Sequence, residues 1–140
     1  MTAEKISLTI STFVNAPIEK VWNAWTAPEH IVNWNFASDD WHCPSAENDF
    51  RVGGKLKATM AAKDGSFAFD FEGIYTFIDL HKTISHVLPD GRNVSTTFIA
   101  EGEVTHITGV FDAETENSLE LQQQGWQAIL NNFKKYTESI

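Results

Sequence analysis

The chain has 140 residues, a length that suits one domain with a substantial core. It carries 19 Asp and Glu against 10 Lys and Arg, and the resulting net charge of −9 makes nucleic acid an unfavourable partner. No apolar run reaches the roughly 18 residues of a membrane span, and residues 1–6 do not have the pattern of a secretory signal. Five Trp and 10 Phe are enough rings to fill a core or to line a hollow one.

Cys43 is the only cysteine, so no internal disulfide can form, and we expect a reducing, cytoplasmic environment. His42 and Cys43 are adjacent on a predicted strand, where neighbouring side chains point to opposite faces. They are therefore poorly placed to share a metal ion, and we predict neither a metal nor another cofactor. A small buried core residue is the expected role of Cys43.

The N-terminal part of the chain predicts a strand followed by two short helices. Apolar and polar residues alternate over residues 5–11, which is the period of a half-buried strand. Pro17 suits the first turn of a helix. The apolar stripe of that helix follows at i, i+3, i+4 and i+7, as Ile18, Val21, Trp22 and Trp25. Thr26-Ala27-Pro28-Glu29 is a capping-box signature that predicts a second short helix through Trp34.

The segment from Trp41 to about Asp112 predicts an antiparallel sheet. Its turns are marked by Gly53-Gly54, Asp64-Gly65, Asp90-Gly91 and Glu101-Gly102. The clearest strand runs from Phe67 to Phe77, and its aromatic face carries Phe67, Phe69, Phe71, Tyr75 and Phe77. Asp70 and Glu72 fall on the opposite face, where we expect solvent. With the register reversed they would face the interior and become the leading acid/base candidates.

The last predicted element is a helix from about Ser118 to Ser139, roughly 33 Å long. Its apolar stripe carries Leu119, Trp126, Ile129, Leu130, Phe133, Tyr136 and Ile140. This stripe must be buried, and the aromatic face of the sheet is the obvious partner. The order of elements predicts one α+β domain over residues 1–140, in which a curved antiparallel sheet wraps around the final helix.

Other polar residues within the predicted strands have two interpretations. His86 shares a strand face with Ile84 and Leu88, where a histidine is usually a hydrogen-bonded core residue. Contact with a ligand is the alternative for His86 and, less strongly, for His106. Arg92 follows a predicted turn, and we expect it to be a surface charge at the end of a hairpin.

Several short motifs occur in a fixed order along the chain: Ala16-Pro17 with Val21-Trp22, Thr26-Ala27-Pro28-Glu29 with Trp34, Arg51-Val52-Gly53-Gly54, Gly73, and Gly125-Trp126 with Leu130. Together they resemble the START-like, or helix-grip, superfamily (SRPBCC) that includes the birch-pollen allergen and polyketide cyclases. Within it, the chain looks like the branch named after the activator of heat-shock protein 90 ATPase. The resemblance implies a seven-stranded sheet gripping the C-terminal helix, with a cavity between them. Members bind lipids, sterols, hormones and polyketides, and a few catalyse reactions on them.

We therefore predict non-catalytic binding of a small hydrophobic or aromatic ligand, lipid or polyketide-like, between sheet and helix. The predicted contact residues are Trp34, Trp41, Phe69, Phe71, His86, Phe98, Trp126, Ile129, Leu130 and Phe133.

Two alternatives stay open. The family name suggests co-chaperone stimulation of a heat-shock protein 90 ATPase, with the chaperone as partner. A cyclase or hydrolase reaction would need Asp70, Glu72 or His86 inside the cavity. We expect a monomer or a weak dimer.

Overall fold

The computed structural model describes residues 6–140. Its strands are β1 (Ser7–Val14), β2 (Trp41–Asn48), β3 (Lys55–Ala62), β4 (Ala68–Asp79), β5 (Thr83–Val87), β6 (Asn93–Glu101) and β7 (Val104–Asp112). Its helices are α1 (Ile18–Thr26), α2 (Pro28–Ile31) and α3 (Leu119–Ser139). Over residues 6–140, none of these helices combines the length and apolarity needed to cross a bilayer. Residues 1–5, part of the segment predicted to carry no secretory signal, lie outside the described residues.

All seven strands form one antiparallel sheet in the order β1-β7-β6-β5-β4-β3-β2. The first strand pairs with the last along its whole length, from Ser7 opposite Asp112 to Val14 opposite Thr105. This leaves β1 and β2 as the two edges of a sheet that curls into a half-barrel along α3. The predicted α+β helix-grip architecture is confirmed.

Polar side chains of α3 form hydrogen bonds with the backbone at the outer edge of β1. Gln123 Nε2 donates to the Thr9 carbonyl at 2.9 Å, and Gln127 Nε2 donates to the Ser11 carbonyl at 3.0 Å. Lys134 Nζ donates to the next outward carbonyl of β1, 2.6 Å away. These bonds fix the position of α3 along the sheet, while the apolar stripe of the helix turns inward.

The core lies between the concave side of the sheet and the three helices. Phe111, Ile107 and Phe133 are almost completely buried. Trp34, which follows α2, is also buried, and its indole Nε1 donates to the Ala24 carbonyl of α1 at 2.9 Å. This bond satisfies the polar atom of a large ring in the core, as burial of a tryptophan requires.

A β-bulge interrupts the aromatic alternation of β4. The register between β4 and β5 shifts between Tyr75 and Phe77. Tyr75 is 4% exposed and Phe77 is 52% exposed, so the two rings lie on opposite sides of the sheet. The prediction that Phe77 shares the aromatic face is wrong, because one extra residue reverses the side of every residue after it.

The helix boundaries differ in detail from the predicted ones. Thr26 does not cap α2; its Oγ1 donates to a carbonyl one turn back in α1, at 2.9 Å. The second helix ends at Ile31 instead of continuing through Trp34. The long helix begins as predicted, with Ser118 Oγ accepting from the Leu121 amide at 3.1 Å.

Strand alternation in β2 separates His42 from Cys43, as the sequence predicts. His42 is exposed, whereas Cys43 is 4% exposed and belongs to the core. Burial raises the pKa of the Cys43 thiol, whose Sγ donates to the Ser45 carbonyl at 3.4 Å. Between residues 6 and 140, no three His, Cys, Asp or Glu side chains come together in a way that could hold a metal ion.

Candidate functional site

A cavity of about 280 Å³ lies between the inner face of the sheet and α3. Its wall is mainly aromatic and aliphatic and draws on strands, on the short helices and on α3. It includes these members of the predicted contact set: Trp34, Phe69, Phe71, His86, Trp126, Ile129 and Leu130. The structure thus brings side chains from distant parts of the sequence around one space, and their contact with a ligand stays a prediction.

The remaining predicted contact residues, Phe98, Phe133 and Trp41, do not line the cavity. Phe98 and Phe133 are buried, with ring centroids 5.5 and 4.8 Å from that of Trp25, which is itself part of the wall. Trp41 packs against Phe69, another wall residue, at 6.0 Å. Periodicity identified the correct faces but not which rings form the wall and which support it from behind.

Several polar wall residues were not on the predicted list: Asn35, Tyr75, Arg92 and Thr96. Thr96 could have been found, because on β6 it shares a face with Val94. Arg92 lies at the end of the β5–β6 hairpin, as predicted, but it is not simply a surface charge. Its side chain is 26% exposed and lines the cavity, and its Nε lies 2.7 Å from Asp90 Oδ2.

His86 is a wall residue whose two ring nitrogens are buried without a hydrogen-bond partner among the described residues. The expectation of a hydrogen-bonded core histidine is therefore wrong. The ring packs edge-on against Phe71 and Tyr75, with centroids 6.1 Å apart in each pair. A Cβ atom on Gly73 would lie only 2.6 Å from His86 Cδ2, so the glycine leaves room for the ring. Burial lowers the pKa of His86 to about 4, and the imidazole is neutral near pH 7.

Tyr75 packs next to His86 and, unlike that ring, has a hydrogen-bond partner among the described residues. Its hydroxyl donates to Asn48 Oδ1 at 2.7 Å, and Asn48 Nδ2 donates to the Thr26 carbonyl at 2.7 Å. This chain of bonds joins β4, β2 and the end of α1. Burial raises the pKa of the Tyr75 phenol, which therefore stays protonated and continues to donate.

Trp126 forms the part of the wall that α3 contributes opposite the sheet. Its ring is stacked on Phe111, with centroids 4.1 Å apart and planes 8° from parallel. It also meets Phe71 edge-on at 6.0 Å. One indole therefore bridges β7 and β4 across the cavity, which fixes the width of the space at this point.

Asp70 and Glu72 lie outside the cavity, as the predicted outer face requires. Glu72 Oε1 is 3.2 Å from Lys55 Nζ, and Asp70 Oδ2 is 3.7 Å from Lys57 Nζ. Thr59 Oγ1 donates to Asp70 Oδ1 at 2.7 Å. Both carboxylates are paired with cations on neighbouring β3, so the proposed acid/base pair does not face the enclosed space.

Solved structures with the same fold include two close in sequence. The AHSA1-like protein from Aeromonas hydrophila is 43% identical, with a TM-score of 0.90 over 96% of this chain and 93% of that one. A Cytophaga hutchinsonii protein is 49% identical, with a TM-score of 0.78 over 96% of this chain and 92% of that one. The Nitrosomonas europaea protein NE0264, at 17% identity and a TM-score of 0.81, shares the fold.

No curated protein matched the chain. A family described as activator of Hsp90 ATPase homolog 1-like protein matches residues 15–138, nearly the whole length. This range includes both short helices, the cavity wall from α1 onward and all but the end of α3. The chain belongs to the activator of Hsp90 ATPase homolog 1-like family.

Proposed function

We propose that the protein binds a small hydrophobic, mainly aromatic molecule in the cavity between the sheet and α3, without chemically changing it. The observation that supports this most directly is the space itself, which the surrounding rings line but do not fill. Small-molecule sites are typically concave and apolar, with a few polar groups that fix orientation. Asn35, His86 and Thr96 supply such groups here.

The size of the cavity limits the ligand. At about 280 Å³ it lies near the lower end of the range for small-molecule sites, roughly 300 to 1,000 Å³. Two fused rings or a short acyl chain suit this space better than a sterol does. Burial of roughly 300 Å² of apolar surface would contribute about 7 kcal/mol before association costs, so micromolar affinity is the upper limit for apolar burial alone.

The test is a titration followed by NMR chemical shifts, with short fatty acids and fused-ring compounds as the two ligand classes. Binding should shift the indole N–H signals of the wall residues Trp34 and Trp126. Replacement of Ile129 by Trp fills the cavity and should abolish these shifts. Ile99→Trp places the same extra ring on the exposed outer face and should leave them unchanged. The proposal fails if neither ligand class moves the signals of the wall residues.

Stimulation of a heat-shock protein 90 ATPase stays a prediction that rests on the family name. Its measurement is the ATPase rate of that chaperone at a saturating concentration of this protein. An unchanged rate would dispose of the co-chaperone hypothesis and would leave the ligand-binding proposal untouched.

A further inference from the structure

The polar groups of the cavity wall differ in whether the protein satisfies them. The Tyr75 hydroxyl has Asn48, and Arg92 Nε has Asp90. Nδ1 and Nε2 of His86 are both covered by protein atoms and have no partner among residues 6–140. Buried polar groups in native proteins are nearly always hydrogen-bonded, so an orphaned imidazole in a cavity wall calls for an explanation.

The surroundings hold this ring in place by packing alone. Phe71 and Tyr75 flank it, and the hydrogen side chain of Gly73 gives it a surface to lie on. A leucine or phenylalanine in this position would fill the same space without burying a polar atom that has no hydrogen-bond partner. The chain keeps an imidazole where it loses hydrogen bonds, and a bound molecule that restores one of them would compensate this loss.

We propose that the ligand of this cavity is an aromatic molecule with a neutral hydroxyl group that hydrogen-bonds to a ring nitrogen of His86. This inference rests on the proposed function. A hydroxyl both donates and accepts, so it can meet either nitrogen of a neutral imidazole. Both nitrogens are covered in this conformation, so the proposal requires the ring to turn about its Cβ–Cγ bond when the ligand binds, which exchanges the nitrogen and carbon positions.

A neutral group fits this wall better than an anion does. Burial strongly disfavours the imidazolium form of His86, so the ring offers a carboxylate a hydrogen bond but no positive charge. Among the described residues of the wall, Arg92 is the cation, and its Nε is already paired with Asp90 Oδ2 at 2.7 Å. A carboxylate in the cavity would therefore be desolvated and would have to compete with Asp90 for Arg92.

Three probes of similar size and different polarity separate the outcomes: 2-naphthol, 2-methylnaphthalene and 2-naphthoate. Their affinities are measured by calorimetry with the wild type, His86→Phe and His106→Phe. His106 is stacked on Phe13 away from the cavity, so its replacement is the matched control. The wild type and H106F should bind 2-naphthol about fivefold or more tightly than 2-methylnaphthalene, as one net hydrogen bond implies. H86F should bind the two equally.

A second measurement needs no substitution. The ¹⁵N shifts of the His86 ring in the wild type report its tautomer and hydrogen bonding, and 2-naphthol should move them while 2-methylnaphthalene should not. Equal binding of both probes to wild type and H86F, or tightest binding of 2-naphthoate, would overturn the role of His86 while the cavity remained a ligand site. Failure of all three probes to bind would refute the proposed function itself, and this inference with it.

Discussion

Gly73 on β4 lies against the imidazole of His86 on β5, so closely that a Cβ on the glycine would be 2.6 Å from Cδ2 of the ring. Replacement of Gly73 by Ala should therefore displace the ring or the strand. Overpacking of this kind costs roughly 1 to 3 kcal/mol of the free energy of unfolding. Chemical denaturation of the wild type and G73A measures it.

The partner in this clash can be identified by a double-mutant cycle. His86→Ala removes the ring, so adding Gly73→Ala to that variant should cost much less than it does in the wild type. Gly125→Ala in α3 is the control, because a Cβ there meets no atom within 4 Å. Additive effects of G73A and H86A would show that the glycine is needed for some reason other than the ring.

The buried His86 should make stability depend on pH in a defined window. Its pKa falls from 6.5 to about 4 on folding, because burial disfavours the charged form. Between these values the unfolded chain binds a proton that the native protein does not, so stability decreases as the pH is lowered from 6.5 towards 4. Below pH 4 both states are protonated and the loss is complete, at about 3 kcal/mol.

Denaturation curves for the wild type and His86→Phe across pH 4 to 7 check this expectation. Surface carboxylates titrate in both proteins, so the difference between the two curves isolates the imidazole. H86F should lose less stability than the wild type as the pH is lowered. Parallel curves would mean that His86 is protonated as easily in the folded protein as in the unfolded chain.

Gln122 should stabilise the loop that leads into α3. The side chain is buried; its Oε1 accepts from the Glu114 amide at 2.8 Å, and its Nε2 donates to the carbonyls of Glu114 and Asn117 at 3.1 and 2.9 Å. Gln122→Ala leaves these backbone groups without their partner and should cost roughly 1 to 3 kcal/mol. Thermal unfolding of Q122A, with exposed Gln124→Ala as control, measures it, and an equal change in both variants would contradict it.

The thiol of Cys43 should react slowly in the folded protein. Burial raises its pKa and keeps it protonated, and access to the Sγ atom requires opening of β2. A disulfide reagent at neutral pH should label the native chain orders of magnitude more slowly than the unfolded chain. Similar rates for both would show that β2 opens readily.

Sequence periodicity was sufficient to predict the sheet, the long helix and the outward position of Asp70 and Glu72. Each of these follows from a local pattern of apolar and polar residues. The bulge that turns Phe77 outward could not be predicted this way, because it depends on pairing with β5. The position of Arg92 in the cavity wall could not be predicted either, because it is the curvature of the sheet that brings this end of a hairpin to the cavity.

The sequence was sufficient to predict which rings belong to the candidate site. It was not sufficient to predict which of them line the cavity and which lie behind its wall. Phe98 and Phe133 have the same periodicity as the wall residues, but their rings pack against Trp25 and do not line the cavity. The orphaned nitrogens of His86 were also beyond sequence reasoning, because a missing partner is a property of the three-dimensional surroundings.

The side-chain bonds between α3 and β1 bear on self-association. An edge strand with free carbonyls and amides is a template for adding strands from other molecules, and thus for aggregation. Gln123 and Gln127 occupy the carbonyls that a foreign strand would need on β1. At the opposite edge, Pro44 within β2 offers no amide proton. Both open sides of the half-barrel are thereby shielded against growth into fibrils, although the sheet never closes on itself.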